Sequence, residues 1–299
     1  MGTARVAIVT SDMGLIHDID LPLVLAGLRA RGLEAEAVAW DADSVVWGDY
    51  HLAVIRSTWD YADRLDEFLA WADTTARVTH LANPASLVRW NSDKRYLLEL
   101  AGRGVPVVPT RVLEPGDSCD EGDFAHPRGV VVKPAVSVAA RDTARYEPGR
   151  TTDAVAHARA LLAQGRAVMV QPYLRRIAEG ERALVFVGGS FSHALRKGEV
   201  LTEPGVIDNS REPHPDLVQH RPAEAELVTA TAALEALPAA PAPLYARVDL
   251  ALDDTGAPVL MELELIEPYL FLHTTASGLE RLVEAVAVAV AAQARLTAR

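Results

Sequence analysis

Arg247-Val248-Asp249-Leu250-Ala251-Leu252, a turn through Asp254-Thr255-Gly256, and Val259-Leu260-Met261-Glu262-Leu263-Glu264-Leu265 form the stretch on which the reading of this chain depends. Two apolar runs joined by a short Asp/Gly turn predict paired strands over Ala246 to Leu252 and Val259 to Leu265. In such a pair Asp249 lies beside Glu262, and the period of two places Glu262 and Glu264 on one face. Three carboxylates then converge. A solvent-facing acidic edge is the plainer alternative, but the interleaved Leu250, Leu260, Leu263 and Leu265 predict strands buried on at least one side. Acids gathered there repel one another, and a hard divalent cation such as Mg²⁺ relieves the repulsion.

Upstream, Val130-Val131-Val132-Lys133 ends an apolar strand on a lysine, which is costly to hold there without an anion. Lys133 is therefore the sharper phosphate candidate. Lys94 falls within Ser86 to Gly102, read as one helix, where a surface lysine is common. Between them and the acids, strand Ala167 to Gln171 runs into Gln171-Pro172-Tyr173-Leu174 and on to Gly180-Glu181-Arg182. Such a connector exposes backbone N–H and C=O groups able to read an adenine edge, although an ordinary proline linker has the same look.

The chain begins as a parallel α/β lobe: strand Val6 to Thr10, helix Leu21 to Arg31, strands Glu34 to Trp40 and Leu52 to Arg56, helix Leu65 to Ala72. Ligands of such lobes gather at the carboxyl ends of the strands, here Thr10 to Gly14 and Arg56 to Tyr61. Neither loop holds G-x-G-x-x-G, so a dinucleotide site of that kind is unsupported. Beyond Asn83-Pro84, a smaller α+β lobe carries helix Thr152 to Gln164. The remainder adds strands Ala183 to Val187 and Phe191 to Leu195 about Gly188-Gly189, and a helix near Ala223 to Leu237.

With 29 Lys+Arg against 41 Asp+Glu, the net charge of −12 disfavours nucleic acid as a partner. Apolar residues at 49% permit a sizeable core, and 299 residues suit two or three lobes. The single cysteine, Cys119, excludes an internal disulfide and has no readable activating neighbour. Met1 to Arg5 leads directly into a strand without a signal-peptide pattern, and Leu282 to Ala292, interrupted by Glu284, is too short to span a bilayer. A cytoplasmic protein without membrane contact is expected, with self-association left open.

Lys94, Lys133, Gln171 to Leu174, Glu181, Arg196-Lys197, Asp249, Glu262 and Glu264 occur in an order that resembles the ATP-grasp carboxylate–amine ligases. The likeness covers about residues 83 to 275, and no single element is specific to it. It implies an α/β, three-lobed architecture: a parallel α/β pre-domain (1–92), a small lid lobe (93–172) and a large lobe with the metal site (173–299). It further implies ATP between the latter two lobes. Lys94 and Lys133 would hold its phosphates, Gln171 and the backbone of Tyr173 and Leu174 its base, and Glu181 its ribose. Asp249, Glu262 and Glu264 would hold Mg²⁺ or Mn²⁺. Two departures stand out. The lid loop, usually glycine-rich, reads Ala135-Val136-Ser137-Val138-Ala139-Ala140-Arg141-Asp142, so Ser137 and Arg141 would supply a hydroxyl and a guanidinium instead. The second metal position, often Asn, is Glu264.

Arg56-Ser57-Thr58-Trp59-Asp60-Tyr61 also reads as a substrate loop: Arg56 forks onto a carboxylate, Asp60 pairs with an ammonium, and Thr58, Trp59 and Tyr61 shape the pocket. A helix N-cap at Ser57 or Thr58 with buried aromatics is the alternative. Ile55 to Tyr61, Gly180 to Arg182 and Glu262 to Tyr269 look most like the cyclo-ligases of D-cycloserine biosynthesis, which close O-ureido-D-serine into a ring. That likeness implies a small amino-acid substrate activated as an acyl phosphate, with Lys133, Arg56 and Arg196 as catalytic residues. Arg56 or Arg196 would hold the acid group. Intermolecular amino-acid or dipeptide ligation, and a nucleotide-binding module without turnover, are the competing readings.

Overall fold

The computed structural model describes residues 3–210, 215–238 and 242–297, with side chains as far as residue 293. Its first sheet is parallel and ordered β2-β1-β3-β4, from β1 (Arg5–Thr10), β2 (Glu34–Ala39), β3 (Leu52–Ser57) and β4 (His80–Ala82). Val6 to Val9 and Leu52 to Ile55 are buried, as expected of parallel strands covered on both faces. The helices are α1 (Asp12–His17), α2 (Leu21–Ala30) and α3 (Leu65–Thr75). Helix α1 occupies what the sequence suggested was a ligand loop. The Ser11 hydroxyl caps it by accepting the Gly14 N–H at 3.1 Å, and Gly14 sits so close to Ser57 that an added Cβ would meet the Ser57 carbonyl oxygen at 2.2 Å.

The expected helix over Ser86 to Gly102 is two, α4 (Ala85–Asn91) and α5 (Tyr96–Gly102), with Lys94 in the break. Tertiary hydrogen bonds hold that break open. The Lys94 N–H donates to the Ala135 carbonyl at 2.9 Å, and the Asn91 side chain donates to the Leu263 carbonyl at 2.7 Å and accepts the Leu265 N–H at 2.8 Å.

A second, antiparallel sheet, ordered β5-β8-β6-β7, contains β5 (Arg111–Leu113), β6 (Val130–Pro134), β7 (Ala144–Tyr146) and β8 (Val168–Pro172), with α6 (Thr151–Ala163) between β7 and β8. Ala154, Ala158 and Leu161 of α6 pack on Val130, Val132, Val168 and Val170, and Cys119 lies buried in this core. The third sheet runs β11-β10-β9-β12-β13, from β9 (Glu181–Val187), β10 (Ser190–Lys197), β11 (Val218–Gln219), β12 (Tyr245–Leu252) and β13 (Pro258–Glu264). Helix α7 (Glu224–Glu235) precedes β12. The last helix, α8 (Ala276–Thr297), places Leu282, Val283, Val286 and Val290 in a core that also holds Val24 and Leu28 of α2 and Val185 and Tyr245 of the third sheet. Among the described residues no helix is long and apolar enough to cross a membrane. Strands β4, β5, β7 and β11 escaped the sequence reading because two or three residues show no periodicity.

Candidate active site

A cleft of about 1230 Å³ is lined by residues of the second and third sheets and, from the N-terminal part of the chain, by Met13 and His17 of α1, Ile19, and Trp59, Tyr61 and Asp63 beyond β3. On its floor β12 and β13 pair antiparallel, with Asp249 opposite Glu262 and Arg247 opposite Glu264. That register is the expected one, but Asp249 does not stand free. Its carboxylate accepts from Arg247 Nη2 at 2.9 Å and from Lys197 Nζ at 2.9 Å. Burial opposes the charged form, yet Arg247 and Lys197 outweigh it and hold the Asp249 carboxyl well below the ordinary carboxylate range. Asp249, expected as a metal ligand, is here the anion between two buried cations. Among the described residues no group of three or more His, Cys, Asp or Glu side chains is arranged to hold a metal.

Glu262 and Glu264 remain at the cleft surface, their side chains 31% and 23% exposed. Lys94 Nζ approaches Glu262 at 3.2 Å, and Arg247 Nη2 donates to Glu264. Burial raises Glu264 to about 7, with Arg247 pulling it back and Asp249 and Glu262 adding to the rise. Two accessible carboxylates that repel each other are a donor set fitting a hard cation such as Mg²⁺.

Lys133 also lines the cleft, and among the described residues its ammonium has no hydrogen-bond or ion-pair partner. Burial lowers its pKa from the ordinary lysine value, Glu262 opposing and Lys94 adding. It is a cation poised for an anionic ligand. Lys94 is more committed: its ammonium also donates to the Ser137 carbonyl, tying the lid loop to the floor. The Ser137 hydroxyl is spent on the Arg141 carbonyl at 2.9 Å, and Arg141 reaches Asp63 of the first lobe at 2.7 Å. Both therefore shape the loop rather than present free donors. Ala139, Ala140 and Asp142 adopt positive φ, the conformations that glycine would take at least cost.

At the cleft edge the Tyr173 N–H is used by the Gly129 carbonyl at 3.0 Å, so of the expected backbone contacts the Leu174 N–H and Tyr173 C=O are those with no partner among the described residues. Gln171 is buried and donates to Thr110 Oγ1 at 2.8 Å, and the Tyr173 hydroxyl donates to Glu199 at 2.6 Å. Glu181 lines the cleft but is contacted by Lys197; burial raises it to about 7, with Lys197 pulling it back and Asp249 adding to the rise.

Arg196 and Arg56 are not where the sequence suggested. Alternation along β10 leaves Arg196 exposed on the face away from the cleft, donating to the Glu179 carbonyl at 3.1 Å, while Lys197 turns inward. Arg56 is 2% exposed and does not line the cleft. It donates to Asp20 Oδ2 at 3.1 Å and to the Pro268 carbonyl, with Asp18 at 3.5 Å. Its fork is filled by the protein itself. Thr58 is buried, and Asp60 accepts from Trp40 Nε1 at 3.0 Å; neither reaches the cleft, whereas Trp59 and Tyr61 do. Trp59 stacks on Tyr269 at 5.0 Å and donates to the Glu267 carbonyl at 3.3 Å. The Arg56 loop therefore clamps the strap that follows β13.

Comparison with known proteins agrees with this architecture. Residues 6–83 match the model of the D-cycloserine synthetase DcsG N-terminal domain. The chain is 39% identical over 293 residues to the cycloserine biosynthesis protein DcsG of Streptomyces lavendulae, covering 94% of this chain and 97% of that protein. The chain belongs to the DcsG family. The crystal structure of D-cycloserine synthetase DcsG superposes with a TM-score of 0.87 at 35% identity, covering 96% of this chain and 100% of the other. D-alanine–D-alanine ligase of Bacillus anthracis, solved with ATP, shares the fold at a TM-score of 0.70 and 13% identity, with 98% and 99% of the two chains covered.

A member of the DcsG family, the protein is an enzyme with the fold of the ATP-grasp ligases. Two groups of its cleft, Arg247 and His273, were not selected from sequence. Arg247, two positions before Asp249 and hence on the same strand face, carried a usable signal in that alternation. Lys197, read from sequence only alongside Arg196, lies opposite Glu181 in the antiparallel β9–β10 pair. His273 carried no such signal, because its partner Asp20 is remote in sequence.

Proposed function

We propose that this chain uses ATP to convert the carboxylate of a small amino acid to an acyl phosphate, which a nitrogen nucleophile then attacks. The observation that carries this reading is Lys133, half-buried and with its ammonium unpartnered among the described residues, in the same cleft as Glu262 and Glu264. A half-buried cation and two half-buried carboxylates in one cleft have the charge pattern needed for a polyphosphate and its counter-cation. In this reading ATP lies between segments 93–172 and 173–299. Lys133 and Lys94 hold its phosphates, and the Leu174 N–H and Tyr173 C=O meet the edge of its base. Glu262 and Glu264 bind Mg²⁺, which neutralises charge developing on the transferred phosphoryl group. Lys197, held by Asp249 and Glu181, keeps the floor electrically balanced.

The likeness to the cycloserine biosynthesis protein DcsG supports O-ureido-D-serine as the substrate, closed to D-cycloserine. Attack by the oxygen-linked nitrogen expels phosphate, and hydrolysis of the carbamoyl remnant releases carbon dioxide and ammonia, with ADP as the other product. Holding both reacting groups in one molecule favours the ring. The same reading places the enzyme in the cytoplasm. Incubation with ATP, Mg²⁺ and a panel of O-ureidoserine and D- and L-amino acids, followed by mass spectrometry with ADP counted per product, tests it. One ADP per cycloserine is expected. A dipeptide as the only product would establish intermolecular ligation, and no ADP with any substrate would leave a binding module.

A further inference from the structure

The strap between β13 and α8 presents an imidazole to the cleft that no step above uses. His273 is among the residues lining the cleft, and its side chain is 32% exposed. Its Nδ1 lies 2.9 Å from Asp20 Oδ1, and Asp20 is 0% exposed. The same carboxylate accepts the His273 N–H at 2.8 Å, the Leu272 N–H at 2.9 Å and Arg56 Nη2 at 3.1 Å. Everything else facing Asp20 is a donor, so Asp20 is the acceptor and Nδ1 carries the proton. The lone pair of the neutral ring is then on Nε2, which has no partner among the described residues. A base oriented by a buried carboxylate, itself fixed by Arg56, is the arrangement that activates nucleophiles elsewhere in protein chemistry.

The geometry points to His273 as the group that takes the proton from the attacking nitrogen, with Asp20 as its positioning residue. This rests on the acyl-phosphate reading. The nitrogen-to-carbonyl-carbon bond forms, the carbon–oxygen bond to the phosphoryl group breaks, inorganic phosphate leaves, and the N–H proton passes to Nε2. Carboxylate activation needs no such base, so the two half-reactions separate.

Hydroxylamine, which attacks acyl phosphates unaided, makes the separation measurable. With O-ureidoserine, ATP and Mg²⁺, His273→Gln is expected to form hydroxamate and ADP within about threefold of the parent while cyclised product falls on the order of 100-fold. Added imidazole should restore part of the product in His273→Ala. Asp20→Asn should show the same partition in milder form. Unchanged product formation in His273→Gln would overturn the assignment, as would equal loss of hydroxamate and product without imidazole rescue. Parent enzyme that yields no hydroxamate from any amino acid would overturn the acyl-phosphate reading itself, and the base with it.

Discussion

Lys197 Nζ lies 2.9 Å from Asp249 Oδ2, the two side chains reaching each other across strand β9 with both closed to solvent. With Arg247 on the other side of the carboxylate, removing the anion strands two buried cations. Asp249→Asn is therefore expected to cost about 3–5 kcal/mol of stability, read from urea unfolding. Because the carboxyl is depressed in the folded state, its contribution is complete above its unfolded value of 3.8 and is lost as pH falls through the lower folded one. The parent should thus lose stability in acid more steeply than Asp249→Asn, and parallel acid limbs would refute this.

Neighbouring residues of β10 should behave in opposite ways. Arg196→Ala removes an exposed side chain and should change stability by no more than about 0.5 kcal/mol, with ADP release near that of the parent. Lys197→Met, one position on, uncovers Asp249 and Glu181 and should abolish turnover. Similar losses in the two variants would mean that strand alternation does not separate their roles.

Glu262→Gln and Glu264→Gln should each nearly abolish ADP formation while leaving the circular-dichroism spectrum and melting temperature close to those of the parent. Their side chains are partly exposed, and their charge serves a cation rather than the core. Normal turnover in either variant at ordinary Mg²⁺ concentration would remove that residue from the metal site.

Lys133→Ala should raise the apparent KM for ATP and lower kcat, because a cation on the phosphates acts in both ground and transition states. Burial makes this lysine deprotonate below the usual 10.5, so ATP affinity should begin to weaken at a lower pH than an exposed lysine would give. That alkaline limb should vanish in Lys133→Ala, which calorimetry across the pH range can show.

Arg56→Lys should act on the fold. The guanidinium spans Asp20, Asp18 and the Pro268 carbonyl, and an ammonium cannot reproduce that fork. A loss of about 1–3 kcal/mol is expected, seen as a lower melting temperature. An unchanged melt combined with a selective defect toward the amino acid would restore Arg56 to the substrate.

Asp249 opposite Glu262, with Glu264 on the same face as Glu262, was legible from Arg247 to Leu265 because one turn and the two-residue period fix both pairing and direction over a short span. The βαβ opening and Lys133 at the end of an apolar strand were legible for the same local reason. Periodicity states which way a side chain points and says nothing of what it meets. Asp249 was neutralised by Lys197 from another strand, Arg56 was consumed by Asp20 and the strap, and Lys94 was placed in a helix break held by Ala135. Each pairing joins segments far apart in the chain, and burial enforces it, since an unpaired charge away from water costs more than a local propensity can supply. The sequence alone therefore determined the strands and the faces of the acids. Only the tertiary structure decided which charged groups reach the cleft and what holds them, leaving the Lys133 ammonium without a partner among the described residues and Glu262, Glu264 and the His273 ring accessible at the cleft surface.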